Sequence, residues 1–340
     1  FLMLSFIIGM IGVEFATVFT NSMLPDVAPK GELGRVSGSG WAFGYLGGLV
    51  ALVFALVALA DSADTGRTLI GIAPLFGLDA SLREGVRAVG PFTAIWYGVF
   101  MIPFFLWVRL PKVENKMTMG HALRRAGPEL RASLRELPQQ RSLMAFLGSS
   151  MLYRDALNGF YAFGGIYAAG VLDWSITAIG IFGIVTLITG AIFAWLGGRA
   201  DDRFGPRRVI TTAVIMLALA AVGVLMISRD HVFGLLVDES SSLPDIAFYL
   251  MGGVIGAAGG TLQAASRTML VRQAREGAIA EAFGLYALAG KATAFLAPLS
   301  ISAITMLTGS QPLGMIPLMV LFLLSLILLA FVKPKGEETA

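Results

Sequence analysis

Gly198-Arg199-Ala200-Asp201-Asp202-Arg203-Phe204-Gly205-Pro206-Arg207-Arg208 is the stretch whose reading decides the fold. It separates two long apolar runs, 176–197 and 208–228, each near the roughly 20 residues that a helix needs to cross a bilayer. Two such helices joined by so short a polar segment must run antiparallel. The glycines allow the tight turn, and a carboxylate there can meet the positive N-terminus of a neighbouring helix. The arginines can grip carboxylates or lipid headgroups. The simpler alternative is a basic turn that only obeys the bias of Lys and Arg toward one side of the membrane.

The rest of the chain agrees with a membrane setting. Of 340 residues, 56% are hydrophobic and only 14% charged, against about 25% charged in soluble domains. The mean hydropathy is +0.78. There is no cysteine, so no disulfide or thiolate metal site, and the two histidines, His121 and His231, lie apart in polar stretches. A net charge of +3, from 25 basic and 22 acidic residues, is too balanced for a nucleic-acid binder. Forty-one glycines suit closely packed membrane helices. No metal or cofactor is expected.

Apolar runs near 1–24, 36–60, 90–110, 143–170, 176–197, 208–228, 246–270, 284–308 and 312–332 predict nine spans. The basic loops alternate with this count. Lys112, Lys116, Arg124, Arg125, Arg131, Arg135 and Arg141 lie in 111–142, Arg199, Arg203, Arg207 and Arg208 follow the fifth span, and Arg272, Arg275, Lys333 and Lys335 come later. The intervening loops are poorer in base; 229–245 has one arginine against Asp230, Asp238, Glu239 and Asp245. The basic loops, the segment 111–142 and the C-terminus are therefore placed in the cytoplasm, at the inner membrane if the source is bacterial.

The odd number of spans has an explanation in an internal repeat. Met23–Gly44 can be laid on Met269–Gly290 at a shift of 246 residues, which brings Met23-Leu24 onto Met269-Leu270 and Ala28 onto Ala274. Gly31, Gly38 and Gly44 fall on Gly277, Gly284 and Gly290. Just upstream Thr17, Thr20 and Asn21 fall on Gln263, Ser266 and Arg267. Such parallel halves occur in large transporters; chance likeness between glycine-rich helices is the alternative. With the repeat, the first half lacks three helices. The chain, which starts at Phe1 inside an apolar run, then reads as truncated by about 100 residues.

The turn 198–208 resembles the cytoplasmic loop signature of the major facilitator superfamily: glycine, aspartate four residues on, arginine, a second glycine, then a basic pair. A closer likeness is carried by Asn21-Ser22-Met23-Leu24-Pro25-Asp26, Gly34-Arg35-Val36-Ser37-Gly38, and Trp41 with Gly44-Tyr45-Leu46-Gly47-Gly48. It continues in Ala162-Phe163-Gly164-Gly165-Ile166-Tyr167-Ala168, Gln263-Ala264-Ala265-Ser266-Arg267 and Phe283–Thr293. Over nearly its whole length the chain is similar to the branch that includes the autophagy-related vacuolar amino-acid effluxers and their bacterial relatives. The resemblance implies an all-α membrane protein of the major facilitator fold, with helices 4 to 12 of twelve present and no catalysis. Residues 1–110 would be a partial N-terminal half, 111–142 the central linker, with Pro128–Leu137 an interfacial amphipathic helix, and 143–340 the C-terminal half and tail. It implies a secondary transporter working by alternating access. Its partners would be the bilayer, a small solute (amino acids, exported) and protons, and it would act as a monomer.

Ionisable groups at membrane depth are costly and tend to face a cavity, so they nominate the pathway. On the helix 143–170, Asp155 and Asn158 share a face and Arg154 the adjoining one; Asp155 is the candidate proton or ammonium site, Arg154 its partner or a carboxylate binder. The alternative is an ion pair that orders the bundle. Glu14, Thr17 and Asn21 form a stripe suited to proton coupling, or else Glu14 is a buried acid bonded to a neighbour. Gln263, Ser266 and Arg267 form the equivalent stripe, with Arg267 closing a gate to Glu281 or Asp26, or snorkelling. Lys291 lies too deep for easy snorkelling and calls for a carboxylate. Gly198, Asp202, Arg203, Gly205, Arg207 and Arg208 form the gating turn, and Gly40, Gly44 and Gly48 a helix-packing stripe. A membrane enzyme would need a nucleophile–base or metal cluster, and none is visible; a truncated, non-transporting receptor or scaffold is the other reading.

Overall fold

The computed structural model describes residues 2–62, 65–109, 118–238 and 240–336. Linker residues Lys112, Glu114 and Lys116, together with Phe1 and Glu239, lie outside the described residues. The chain divides into two compact units, one of Phe1–Phe43 with Thr118–Ala340, the other of Gly44–Met117.

In the first unit, α1 (Leu2–Ser22) is followed by a single turn, α2 (Leu24–Val27), and α3 (Leu33–Phe54) begins. Then come α5 (Met119–Glu136), α6 (Arg141–Val171), α7 (Ile176–Phe204), α8 (Pro206–Leu225) and α9 (Leu243–Gln273). The last elements are α10 (Ile279–Ala292), α11 (Leu296–Thr308), the short α12 (Gln311–Gly314) and α13 (Ile316–Ala330). A two-stranded ribbon, β1 (His231–Val232) on β2 (Leu235–Leu236), decorates the α8–α9 connection. In the second unit the end of α3 runs into a π-helical turn, Ala55–Leu59, and α4 (Glu84–Trp107) packs on it through an aromatic ladder of Phe54, Phe92, Trp96 and Phe100 with ring centroids 4.8–5.6 Å apart.

Among the described residues eight helical stretches are long and apolar enough to span a membrane, with α10 and α11 counted as one span, Ile279–Thr308, and α12 and α13 as another, Gln311–Ala330. The ninth expected segment, 143–170, forms α6, whose 31 residues reach about 46 Å. It is long enough but less apolar, because Ser149, Ser150, Arg154, Asp155 and Asn158 interrupt it. Its core is nonetheless dry: Phe146, Tyr153, Phe248, Phe283 and Phe322 are all under 2% exposed. Apolar side chains on α1 and α4 instead point outward, among them Phe6 and Phe105 at 70% and 76% exposed, as lipid contact requires.

Close helix crossings organise the bundle. A Cβ added at Gly256 or Gly260 of α9 would strike the Thr186 or Gly190 carbonyl of α7, and one at Gly252 the Phe182 ring. The expected span 284–308 lies within Ile279–Thr308, a single candidate span that is interrupted between α10 and α11. Pro298 has no N–H for the Ala294 carbonyl and its ring crowds the preceding turn, so the helix parts over Thr293–Phe295.

The two copies of the repeat share local backbone. α3 and α10 start at Leu33 and Ile279, 246 residues apart; α2 and α9 end at Val27 and Gln273, the same interval. Gly31 and Gly277 between them both take positive φ, 82° and 76°. The loop ends also sort by face. Ser142, Gln273 and Lys333 form one hydrogen-bonded knot, with Ser142 Oγ donating to Gln273 Oε1 at 2.5 Å, which brings the ends of α6, α9 and α13 together. At the other end Trp174 Nε1 and Arg229 both donate to Asp245, at 2.5 and 2.9 Å. The basic residues Arg141, Arg272, Arg275 and Lys333 therefore lie at one face of the bundle.

Candidate functional site

At that basic face the turn 198–208 closes on α3. Gly205 takes φ +84° between α7 and α8, and Pro206 starts α8 where no N–H is needed. Asp202 accepts from the backbone N–H of Gly34 at 2.7 Å and of Arg35 at 2.9 Å, so one carboxylate caps the first turn of α3. The approach is possible because both backbones are bare: a Cβ on Gly34 would lie 2.7 Å from Asp202 Oδ1, and one on Gly198 3.0 Å from the Gly38 Cα. Arg207 donates to the Ala330 carbonyl of α13 at 2.9 Å, Arg199 stacks 3.4 Å over Trp195, and Arg203 lies over Phe204. Arg208 lines an apolar groove between α7, α8 and α9. Sequence reasoning missed Asp201, which is 1% exposed and accepts a short hydrogen bond from Thr268 Oγ1 of α9.

Of the expected packing stripe, Gly44 and Gly48 have nothing within 4 Å of an added Cβ among the described residues, and Gly40 meets only Arg267 at 3.5 Å. The glycines at the α3–α7 crossing are Gly34 and Gly38. Gly40 lies about 200° round the helix from Gly38, so the two sets face different ways.

Three cations on helices of the first unit find partners on neighbouring helices; Arg154 and Arg267 are half-buried and Lys291 is exposed. Arg267 of α9 donates to Asn21 Oδ1 of α1 at 3.0 Å, and to Ser37 of α3 through Oγ at 3.1 Å and the carbonyl at 2.5 Å. Its partners are these neutral groups, not Glu281 or Asp26. Asn21 and Arg267 are the residues that the repeat superposes, so the bond joins equivalent positions of the two copies. Lys291 Nζ lies 2.5 Å from Glu14 Oε1, which links α10 to α1 at the helix break. Arg154 donates to the Tyr286 carbonyl at 2.9 Å and stacks 4.2 Å from the Tyr286 ring centroid. Gly290 makes room for it, since a Cβ there would lie 2.5 Å from Arg154 Nη1.

Asp155 points elsewhere. It is 2% exposed, and one oxygen accepts from the Ala297 N–H at 2.9 Å, capping α11 just beyond the break, while the other is buried without a partner. Asn158 is exposed, so the shared face expected for these two residues does not form; three residues leave them about 60° apart, enough at this packed boundary to separate inside from outside. Thr17 bonds its own helix, at the Val13 carbonyl. Gln263 is half-buried on α9, one turn before Arg267. Tyr153 and Ser266, both fully buried, share a 2.7 Å hydrogen bond that ties α6 to α9 beside the cluster.

Long apolar helices crossing at bare glycines, a broken span, and charged groups gathered around it are features of a polytopic membrane transporter. The chain belongs to the family described as "Vacuole effluxer Atg22 like", which it matches over residues 1–339. It is 23% identical to an uncharacterized MFS-type transporter, YxiO, of Bacillus subtilis (strain 168), over all of this chain and 72% of that protein. It is 22% identical to autophagy-related protein 22 of Yarrowia lipolytica, over 79% of this chain and only 45% of that one. Its fold is similar to that of a crystal structure of the major facilitator superfamily transporter FucP in the outward conformation, with a TM-score of 0.61 at 14% identity over 93% of this chain and 72% of that one. The fold is thus that of the major facilitator superfamily, and the chain is a multi-pass secondary transporter of the Atg22-like branch.

Proposed function

We propose that the protein exports a small zwitterionic solute of the amino-acid class, coupled to protons, and acts as a monomer whose linker 111–142 and C-terminus lie in the cytoplasm. The observation that carries the reading is the set of charged groups around the helix break: Glu14 on Lys291, Arg267 on Asn21 and Ser37, Arg154 on Tyr286. An amino acid carries a carboxylate and an ammonium, and this set offers cations for the first and Glu14 for the second. The description of the family as effluxers supports export. Two acids are the candidates for proton coupling. Glu14 competes with solute for Lys291, and Asp155, with one unpartnered oxygen, caps the half-helix beyond the break.

Alternating access needs a latch at each face. Asp202 on the α3 N-terminus serves as the latch of the basic face, with Gly198, Gly205, Arg203, Arg207 and Arg208 shaping it, and Arg267 lies deeper on the same path. The test is flux in proteoliposomes with the full-length protein, screening amino acids with and without an imposed proton gradient. The expected result is gradient-dependent amino-acid release that Glu14→Gln or Asp155→Asn uncouples. Gradient-independent flux, or no flux of any amino acid by an otherwise folded protein, would overturn the reading.

A further inference from the structure

We propose that α5 is a docking element for anionic phospholipid headgroups, bound by a ridge of Arg124, Arg131 and Arg135. Its side chains sort cleanly by sector at about 100° per residue. Leu123, Leu130 and Leu134 fall within about 40° of one another. Arg124, Arg131 and Arg135 fill a second sector about 100° further round. Glu129 and Glu136 lie on the opposite flank with Arg125.

That acidic flank is already occupied from within the protein. Arg125 pairs with Glu129 at 3.3 Å, and Arg275, from the α9–α10 connection, pairs with Glu136 at 3.0 Å. Ser133, between the acidic flank and the leucines, is buried at 9%. The protein thus holds α5 by one side. On the other side the three arginines have no carboxylate within ion-pair distance among the described residues. Between them the leucines stand open, Leu123 at 70%, Leu130 at 44% and Leu134 at 47% exposed.

The position completes the argument. α5 passes through Leu137–Gln139 directly into α6, at the face where Ser142, Gln273 and Lys333 meet, so it lies where a span leaves the bilayer. A leucine stripe flanked by arginines on the side away from the protein fits one partner chemistry: acyl chains below and phosphate oxyanions alongside. Free phosphate would satisfy the arginines and leave the leucines in water. A lipid satisfies both at once.

The absence of cysteine makes the test simple. Ala126→Cys, beside the leucine sector, is labelled with an environment-sensitive fluorophore in the full-length protein, in nanodiscs of phosphatidylcholine with or without phosphatidylglycerol. Blue-shifted emission and quenching by brominated lipid are expected only with phosphatidylglycerol, weakening at high salt. The triple variant R124Q/R131Q/R135Q should lower the docked-to-free ratio about fivefold per arginine, on the order of 100-fold in all, while R124K/R131K/R135K retains it. Emission indifferent to phosphatidylglycerol in the wild-type sequence, or docking by inorganic phosphate in neutral discs, would overturn the proposal.

Discussion

Replacing one carboxylate oxygen of Asp202 by an amide nitrogen tests the proposal that this cap holds the basic face shut. The carboxylate receives two N–H bonds, 2.7 and 2.9 Å long, from the first turn of α3. Hydrogen bonds to a charged group contribute about 1.5–3 kcal/mol each, and a charge at a helix terminus about 0.3–1 kcal/mol when exposed. Asp202→Asn keeps one acceptor and the shape but loses the charge and one bond. With Arg35 exposed and water close by, the net loss is about 2 kcal/mol, so the closed-to-open ratio should fall about 30-fold. The assay uses Ala42→Cys, 8% exposed and one turn beyond Gly38 on α3, in the otherwise cysteine-free chain. Its reaction with a membrane-impermeant maleimide in vesicles exposing the basic face reports opening. Asp202→Asn should accelerate labelling by that factor and Asp202→Glu by much less. A labelling rate within about twofold of the parent would mean that this cap does not set the closed state, because the helix-end arithmetic allows no such tolerance.

Other perturbations test the remaining geometry. Gly198→Val places a branched side chain against the Gly34 and Gly38 backbone; overpacking should cost about 1–3 kcal/mol, read as a lower unfolding midpoint in detergent, whereas the same change at Gly44, with nothing within 4 Å, should leave it unmoved. Lys291→Met and Glu14→Gln each break a pair over a third exposed, so the coupling in a double-mutant cycle should be about 1 kcal/mol or less; a larger value would indicate a dry site. Gly290→Ala should displace the Arg154 guanidinium from Tyr286 and weaken solute flux about as much as Arg154→Lys does, while Gly284→Ala, in open space, should not. Asp79, outside the spans, is held below the ordinary 3.8 by the Ser81 hydroxyl and N–H. A group depressed on folding stabilises its loop above 3.8 and loses that effect as pH falls through the lowered value. A carboxyl titration followed by carbon NMR should therefore move Asp79 upward in Ser81→Ala.

Several elements were readable from spacing alone, and the reason is physical. The bilayer demands runs of fixed length, so the spans stand out, and a repeat at 246 residues anticipates equal helix starts and the paired positive φ of Gly31 and Gly277. Asp202 could be nominated as a helix-capping acid because a carboxylate in a short turn has few other partners. The neighbouring Asp201 could not, since nothing in the turn points to a single hydroxyl on α9 as its partner. The α9 glycines at 252, 256 and 260 carried a legible four-residue spacing that passed unnoticed beside the stronger run at 40, 44 and 48. Pro298 likewise marked the break before α11.

The sequence by itself determined the solvent and the kinds of group set within it, because hydropathy and charge are properties that each residue carries alone. Only the tertiary structure decided which charge meets which. Arg154 and Asp155 are adjacent in the chain, yet one stacks on Tyr286 of α10 and the other caps Ala297 of α11. Asn21 and Arg267 are far apart and touch. About 100° separates successive side chains on a helix, so neighbours in sequence report to different partners, and helix packing alone selects them.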